Sequence, residues 1–569
     1  MSLELLQLYQ HSPALFQVAD KLTYAQPQIL HLSQLHGSAP AFIAASVFGH
    51  PACAQLNHLI ILNDAEDAAY FFNSLESLTG GLDIFYFPSS FKNRKNYELL
   101  NSSHVMLRTE ALTRIAGGGN KKVLITHPEA LFEKVVLPTT LSANIIHIKS
   151  GDVLDTNQLL LKLTDYGFQR TDFVYEPGQF AIRGGILDIY SYGNDKPYRI
   201  ELFGNDVDSI RIIDPETQLS ERKLLQVSII PNVETQFESD EQVSLMEFLP
   251  ENTVVWVEDY QLCCERLEAA GDDLQAFLRL KQEQPVTHSK KEQEEEEDKL
   301  RKKNVKEDDF ISAALWETQV STRHLVEFGA HNTTPSITAE IAFHTKAQPA
   351  FNRQFDLLIR DLKGWEEKGF RLCIFAENPR QLERLQTIFD DLKSELVFDP
   401  VVSSIHEGFV DEDVKLVCYT DHQIFQRYHK YKVKQAYNKN KALTLRTLRE
   451  LQPGDYVTHI DHGVGVYSGL QKIEANGRMQ EAVRIIYKDS DILYVNINSL
   501  HKIAKYTGKE GSVPKVNKLG SDAWARLKEK TKTKVKEIAF DLIKLYAQRK
   551  AQEGFAHSPD NYLQTELEA

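Results

Sequence analysis

The chain has 569 residues, 42% of them hydrophobic and 25% charged, with a formal net charge of −15. That length exceeds one hydrophobic core and implies roughly three to five domains of about 100–200 residues. The acidic balance excludes a protein that coats nucleic acid over its whole surface. No apolar run approaches the ~20 residues needed to cross a bilayer, and MSLELLQLYQ lacks the basic start and apolar core of a secretory signal. Cys53, Cys263, Cys264, Cys373 and Cys418, without a C-x-x-C pair, read as buried reduced thiols of a cytoplasmic protein.

Over residues 1–150 the apolar runs His58–Leu62, Leu82–Phe87, Lys122–Thr126 and Ile145–Ile148 read as strands, with a helix over Asp64–Leu78 and another starting at Glu129–Glu133. Such alternation predicts a parallel sheet with helices on both faces. The nearest approach to a phosphate-binding loop is Gly37 through Ala44. A working loop, G-x-x-x-x-G-K-[ST], needs a second Gly, a Lys and a hydroxyl residue. Phe42, Ile43 and Ala44 stand in those three places. Only Gly37 fits, so no nucleotide is expected here.

Residues 151–227 change character. Phe180–Arg183, Ile186–Tyr190, Tyr198–Phe203 and Val207–Ile212 alternate at period two between Gly-rich turns, which predicts about four antiparallel strands inserted into the α/β domain. Arg170, Arg183, Arg199 and Glu201 fall on or beside these strands as a candidate charged patch. Surface charges alone would be worth little, ~0–1 kcal/mol per pair. The α/β pattern resumes over 228–285, with Thr253–Val257 as a strand and Tyr260–Ala269 as a helix. The run Glu292–Asp298 makes 286–333 a charged linker.

A second α/β unit is predicted over 334–426, with a helix at Phe351–Lys368 and strands in RLCIFA and VKLVCYT. Asp421 and His422 stand side by side there without a third catalytic partner. Residues 427–450 interleave Lys, Arg and Tyr, a pattern open to phosphate contact but read first as a linker helix. Residues 451–512 carry short alternating strands and turns at Pro453-Gly454-Asp455, His462-Gly463 and Asn476-Gly477, and so predict a small barrel. From Ser521 or Asp522, Trp524, Leu527, Thr531, Val535, Ile538, Leu542 and Leu545 follow helical spacing over 513–569. No catalytic residue and no metal site is expected anywhere.

Two segments carry a resemblance. The stretch YGFQRTDF…FAIRGGILDIY…YRIELF resembles the UvrA-contacting domain of UvrB, with Ala181 where that family has a further Arg. PGDYVTHIDHGVGVYSGL followed by ILYVNINSLHKI resembles the polymerase-interacting domain of transcription-repair coupling factors, itself similar to CarD-type regulators. In their order along the chain these segments resemble the N-terminal part of a coupling factor. The resemblance implies that Arg170, Arg183, Arg199 and Glu201 contact UvrA, and that Ile473, with Val466, Tyr467 and Leu470, meets the RNA polymerase β subunit. It further implies a monomer without a cofactor, and an ATP- and magnesium-dependent DNA translocase motor beyond residue 569. A stand-alone polymerase-binding regulator is the alternative.

Overall fold

The computed structural model describes residues 2–80, 83–93, 96–215, 218–237, 241–283, 305–427, 451–475, 478–496, 502–506, 514–521 and 523–551. It is mixed α/β and β, in two compact units: Met1–Pro215 with Ser220–Asn438, and Glu216–Leu219 with Lys439–Ala569.

In the first unit a seven-stranded sheet forms from apolar runs buried on both faces. Its order is Ala339–Ala342, Ile29–Ser33, Leu325–Glu327, Thr253–Val257, Asn57–Ile61, Lys122–Thr126, Asp83–Phe87. Every pairing is parallel, as helices crossing over both faces require. Residues 305–333 were expected to be linker; instead Phe310, Ile311 and Trp316 enter the core and Leu325–Glu327 lies inside the sheet. Burying those apolar groups outweighs the polar look of the surrounding sequence. The acidic run at 292–298 and the basic segment from 428 lie outside the described residues.

Ile146–Lys149 does not join that sheet. It pairs antiparallel with Gln226–Ile229, which makes a two-stranded neck where the chain leaves and returns. Between them lies a sheet of six strands rather than four, ordered Ser220–Leu224, Asp206–Ile213, Tyr198–Phe203, Ile186–Tyr190, Gln179–Arg183, Gln169–Arg170. Phe180, Leu187, Ile189, Ile200 and Ile210 line one face and pack with Leu159 and Leu163 of the helix Thr156–Asp165. The alternate residues face the other way.

Another five-stranded sheet combines Arg371–Ala376, Asp399–Val402 and Leu416–Thr420 in parallel with Phe409–Asp411 and Thr345–Ala347 in antiparallel. The helix Ala39–Gly49 is buried on all sides and shares one core with both α/β sheets. Its all-round apolar sequence is what such a central position demands.

In the second unit, Tyr456–His459, Gly463–Ala475, Arg478–Ile486, Ile492–Asn496 and Ile503–Lys505 form one antiparallel sheet. The expected barrel is open: among the described residues no ladder joins Ile492–Asn496 to Ile503–Lys505, and the bend comes from a register shift between Tyr467 and Leu470. A helix covers Ala523–Ala551. Among the described residues no helix is long and apolar enough to cross a membrane.

Candidate docking surfaces

The loop before the buried helix is packed against another stretch of polypeptide. Gly37 adopts φ +54°, and a Cβ there would lie 2.6 Å from the Gly408 carbonyl oxygen. The Ser38 N–H donates to the Glu407 carbonyl at 3.1 Å, and the Glu407 N–H donates to Ser38 Oγ at 3.0 Å. A helix N-terminus of this kind is where an anion is held in a phosphate-binding loop; here polypeptide backbone lies against it. His406 stacks on Tyr70 at 3.7 Å beside this contact. Phe42 meets Phe409 at 5.0 Å and Phe375 at 6.1 Å, while Ile43 and Ala44 are buried in the same core. The nearby rim is acidic. Burial, with Asp67, Asp64 and Asp259, pushes Glu258 up to about 7, and Asp67 is raised by burial and by Asp64, Glu66 and Glu407.

His422 Nδ1 lies 4.0 Å from Asp421 Oδ1, and each side chain has a nearer partner. Asp421 is salt-bridged to Arg427, His422 Nε2 lies 2.8 Å from the His406 carbonyl, and burial pushes His422 down to about 4.

On the inserted sheet, pairing Ala181 with Asp188 and Asp188 with Arg199 puts polar residues together on the face away from the core. Asp188 is fully buried and holds both neighbouring arginines. Arg199 donates through Nε and through one terminal nitrogen at 2.8 Å each, and Arg183 forms an ion pair with the same carboxylate. Arg183 also donates to the Asp172 carbonyl at 2.9 Å and lies over the Phe173 ring at 4.6 Å. Arg199, 6% exposed, therefore spends its fork inside the sheet and cannot reach outward as the sequence suggested. Glu201 accepts from Ser209 Oγ at 2.7 Å and stays half-buried. Arg170 pairs in register with Phe180, a core-facing residue, so it does not join the other three. Asp188 was missed from the sequence because an acid between Leu187 and Ile189 looks like an ordinary exposed alternate.

Also missed was Arg108, fully buried at 2.6 Å from Glu234 and 3.3 Å from Glu133, over the Phe87 ring. It ties the chain returning from the insertion to the first sheet.

In the second unit Val466 and Tyr467 are half-buried and Leu470 is 45% exposed. Ile473 sits on the same strand opposite Gln480, and its side chain lies outside the described residues. Val466 pairs with Ile486 and Ile486 with Ile492, so an apolar row reaches the edge strand. The following segment is clamped to this sheet. Val464 N–H donates to Asn517 Oδ1 at 2.7 Å, and Trp524 Nε1 donates to the Ile460 carbonyl at 3.0 Å. Gly463 is required there, since a Cβ would lie 2.6 Å from Asn517 Oδ1. The apolar residues that follow helical spacing here are open in this unit: Leu527, Val535, Ile538, Leu542 and Leu545 are each more than half exposed.

Fold and faces define a mixed α/β and β multidomain chain that presents a charged sheet face in one unit and an apolar sheet face in the other. Residues 146–234 match the UvrB interaction domain family, and residues 451–507 match the CarD-like/TRCF RID domain family. Over nearly its whole length the chain is similar to transcription-repair-coupling factors. It is 27% identical to that of Bacillus subtilis (strain 168), covering 95% of this chain and 50% of the relative. It is 26% identical to that of Staphylococcus aureus (strain USA300), covering 90% and 49%. The chain spans about half the length of the curated relatives it matches.

Proposed function

We propose that this chain serves transcription-coupled DNA repair as a two-ended adaptor, with the charged face of the inserted sheet taking UvrA and the apolar strand Gly463–Ala475 of the second unit taking the RNA polymerase β subunit. The observation that carries the reading is the presence, in one chain, of a UvrB-interaction segment and a CarD-like segment, aligned with coupling factors across both. A stand-alone regulator would have no use for the first segment, so the pairing favours repair coupling. No chemical step is assigned to the described residues. Polypeptide at the N-terminus of the buried helix, together with an acidic rim, supports a first sheet that takes no nucleotide. The ATP-driven DNA translocation expected of coupling factors is assigned to sequence other than these residues, and the chain is read as a cytoplasmic monomer.

The test separates the two ends. Leu470→Arg and Ile473→Arg place a charge where an apolar partner surface would desolvate it, and should lower β-subunit affinity by at least an order of magnitude, since small interfaces rest on few anchors. Both variants should bind UvrA like the parent chain in biolayer interferometry and melt within a few degrees of it. The unbroken register from Leu470 opposite Val483 to Ile473 opposite Gln480 puts the two positions on opposite faces of the hairpin, so full β-subunit binding by both would remove this strand from the interface.

A further inference from the structure

We infer that Arg211 and Lys223 form the outward-reaching half of the charged face and dock a carboxylate-bearing surface of the protein partner, while Arg199 acts only by positioning Asp188 and, through it, Arg183. This rests on the UvrA reading above.

The strand register lines up Asp188, Arg199, Arg211 and Lys223 directly across four strands. Charge along this row is unbalanced. Asp188 is matched by Arg199 and Arg183 within the sheet. Beyond them stand two cations, one opposite the other. Like charges placed directly across a ladder destabilise it, so this pair is a cost that the sheet's own stability does not explain. Lys223, exposed on the edge strand Ser220–Leu224, makes no ion pair among the described residues. An edge lysine can be explained as a guard against strand pairing. Arg211 cannot, because Asp206–Ile213 is an interior strand.

Arg211 is 41% exposed in its side chain and among the described residues reaches only Glu201, at 3.7 Å; its Nε is shielded from water and has no hydrogen-bond partner among them. A guanidinium held this way, with its donors largely unused, suits a planar carboxylate arriving from outside. In a chain of net charge −15, two adjacent cations on a structured face select an acidic partner surface. Arg222 supplies an internal control. It is exposed on the same strand as Lys223 but pairs with Ile212, so it points to the other face.

The experiment measures association of the whole chain with purified UvrA by interferometry at two salt concentrations. Arg211→Glu and Lys223→Glu should each weaken binding about five- to tenfold, mainly through slower association and a flatter salt dependence. Arg222→Glu should leave binding unchanged. Arg211→Met, which keeps the aliphatic stem, should show the same direction of change at an unaltered melting temperature. Parental affinity in Arg211→Glu and Lys223→Glu, with Arg183→Ala defective, would overturn this assignment and leave the UvrA reading standing. Failure of the parent chain itself to bind UvrA would overturn both.

Discussion

Phe42→Ala is expected to destabilise the first unit by about 3–5 kcal/mol, the usual cost of emptying a well-packed aromatic site. The ring is fully buried, in contact with Phe409 and Phe375, and belongs to the core that both α/β sheets share. Its loss therefore leaves a cavity with rigid walls on both sides, which limits collapse. Chemical denaturation should show the first transition moving to lower denaturant while that of the 451–506 sheet stays in place. A shift under about 1 kcal/mol would mean that the sheets do not depend on this helix. The same packing leads to an expectation about nucleotide. Titration of the parent chain with a fluorescent ATP analogue should give no saturable signal. Ile43→Lys, which restores the missing cation, should not create one, because Glu407 and Gly408 lie against Ser38 and Gly37. Micromolar binding that ATP displaces would contradict this.

Asp188→Ala should be as damaging, about 3–5 kcal/mol, because removing one partner of a buried ion pair leaves the other charge uncompensated. Two arginines converge on this carboxylate. Its loss strands Arg199, which is nearly buried, and frees Arg183 to leave its place over Phe173. UvrA binding should fall together with stability. The control is Asp188→Leu combined with Arg199→Met. Apolar replacement of a whole buried pair is often neutral or stabilising, so this variant should recover most of the melting temperature. It should still bind UvrA poorly, because Arg183 has lost its anchor. Full binding by that variant would show that the ion pair is there for folding alone.

Much of this fold can be read along the chain, and the failures share a cause. Apolar runs such as Lys122–Thr126 and Thr253–Val257 declare themselves because every residue is buried. Leu325–Glu327 does not: three residues carry no period, and only their pairing with Ile29–His31, some 300 positions away, and with Val255–Val257 makes them a strand. Ser220–Leu224 is missed because an edge strand with exposed side chains shows no apolar alternation. The candidate site behaves in the same way. Arg183, Arg199 and Glu201 are visible as charges on predicted strands, and the register does bring them to one face. That Arg199 is internal and Arg211 external depends on which neighbour each meets across the sheet. Local sequence does not carry that information.

The most direct test of the two-ended reading is the mass of the complex formed when this chain is mixed with UvrA and the polymerase β subunit, measured by light scattering after size exclusion. Because the two binding regions are built from separate segments, one species containing all three should elute, and Leu470→Arg should release only the β subunit. Binary complexes that exclude one another, or a chain that binds neither partner, would contradict it.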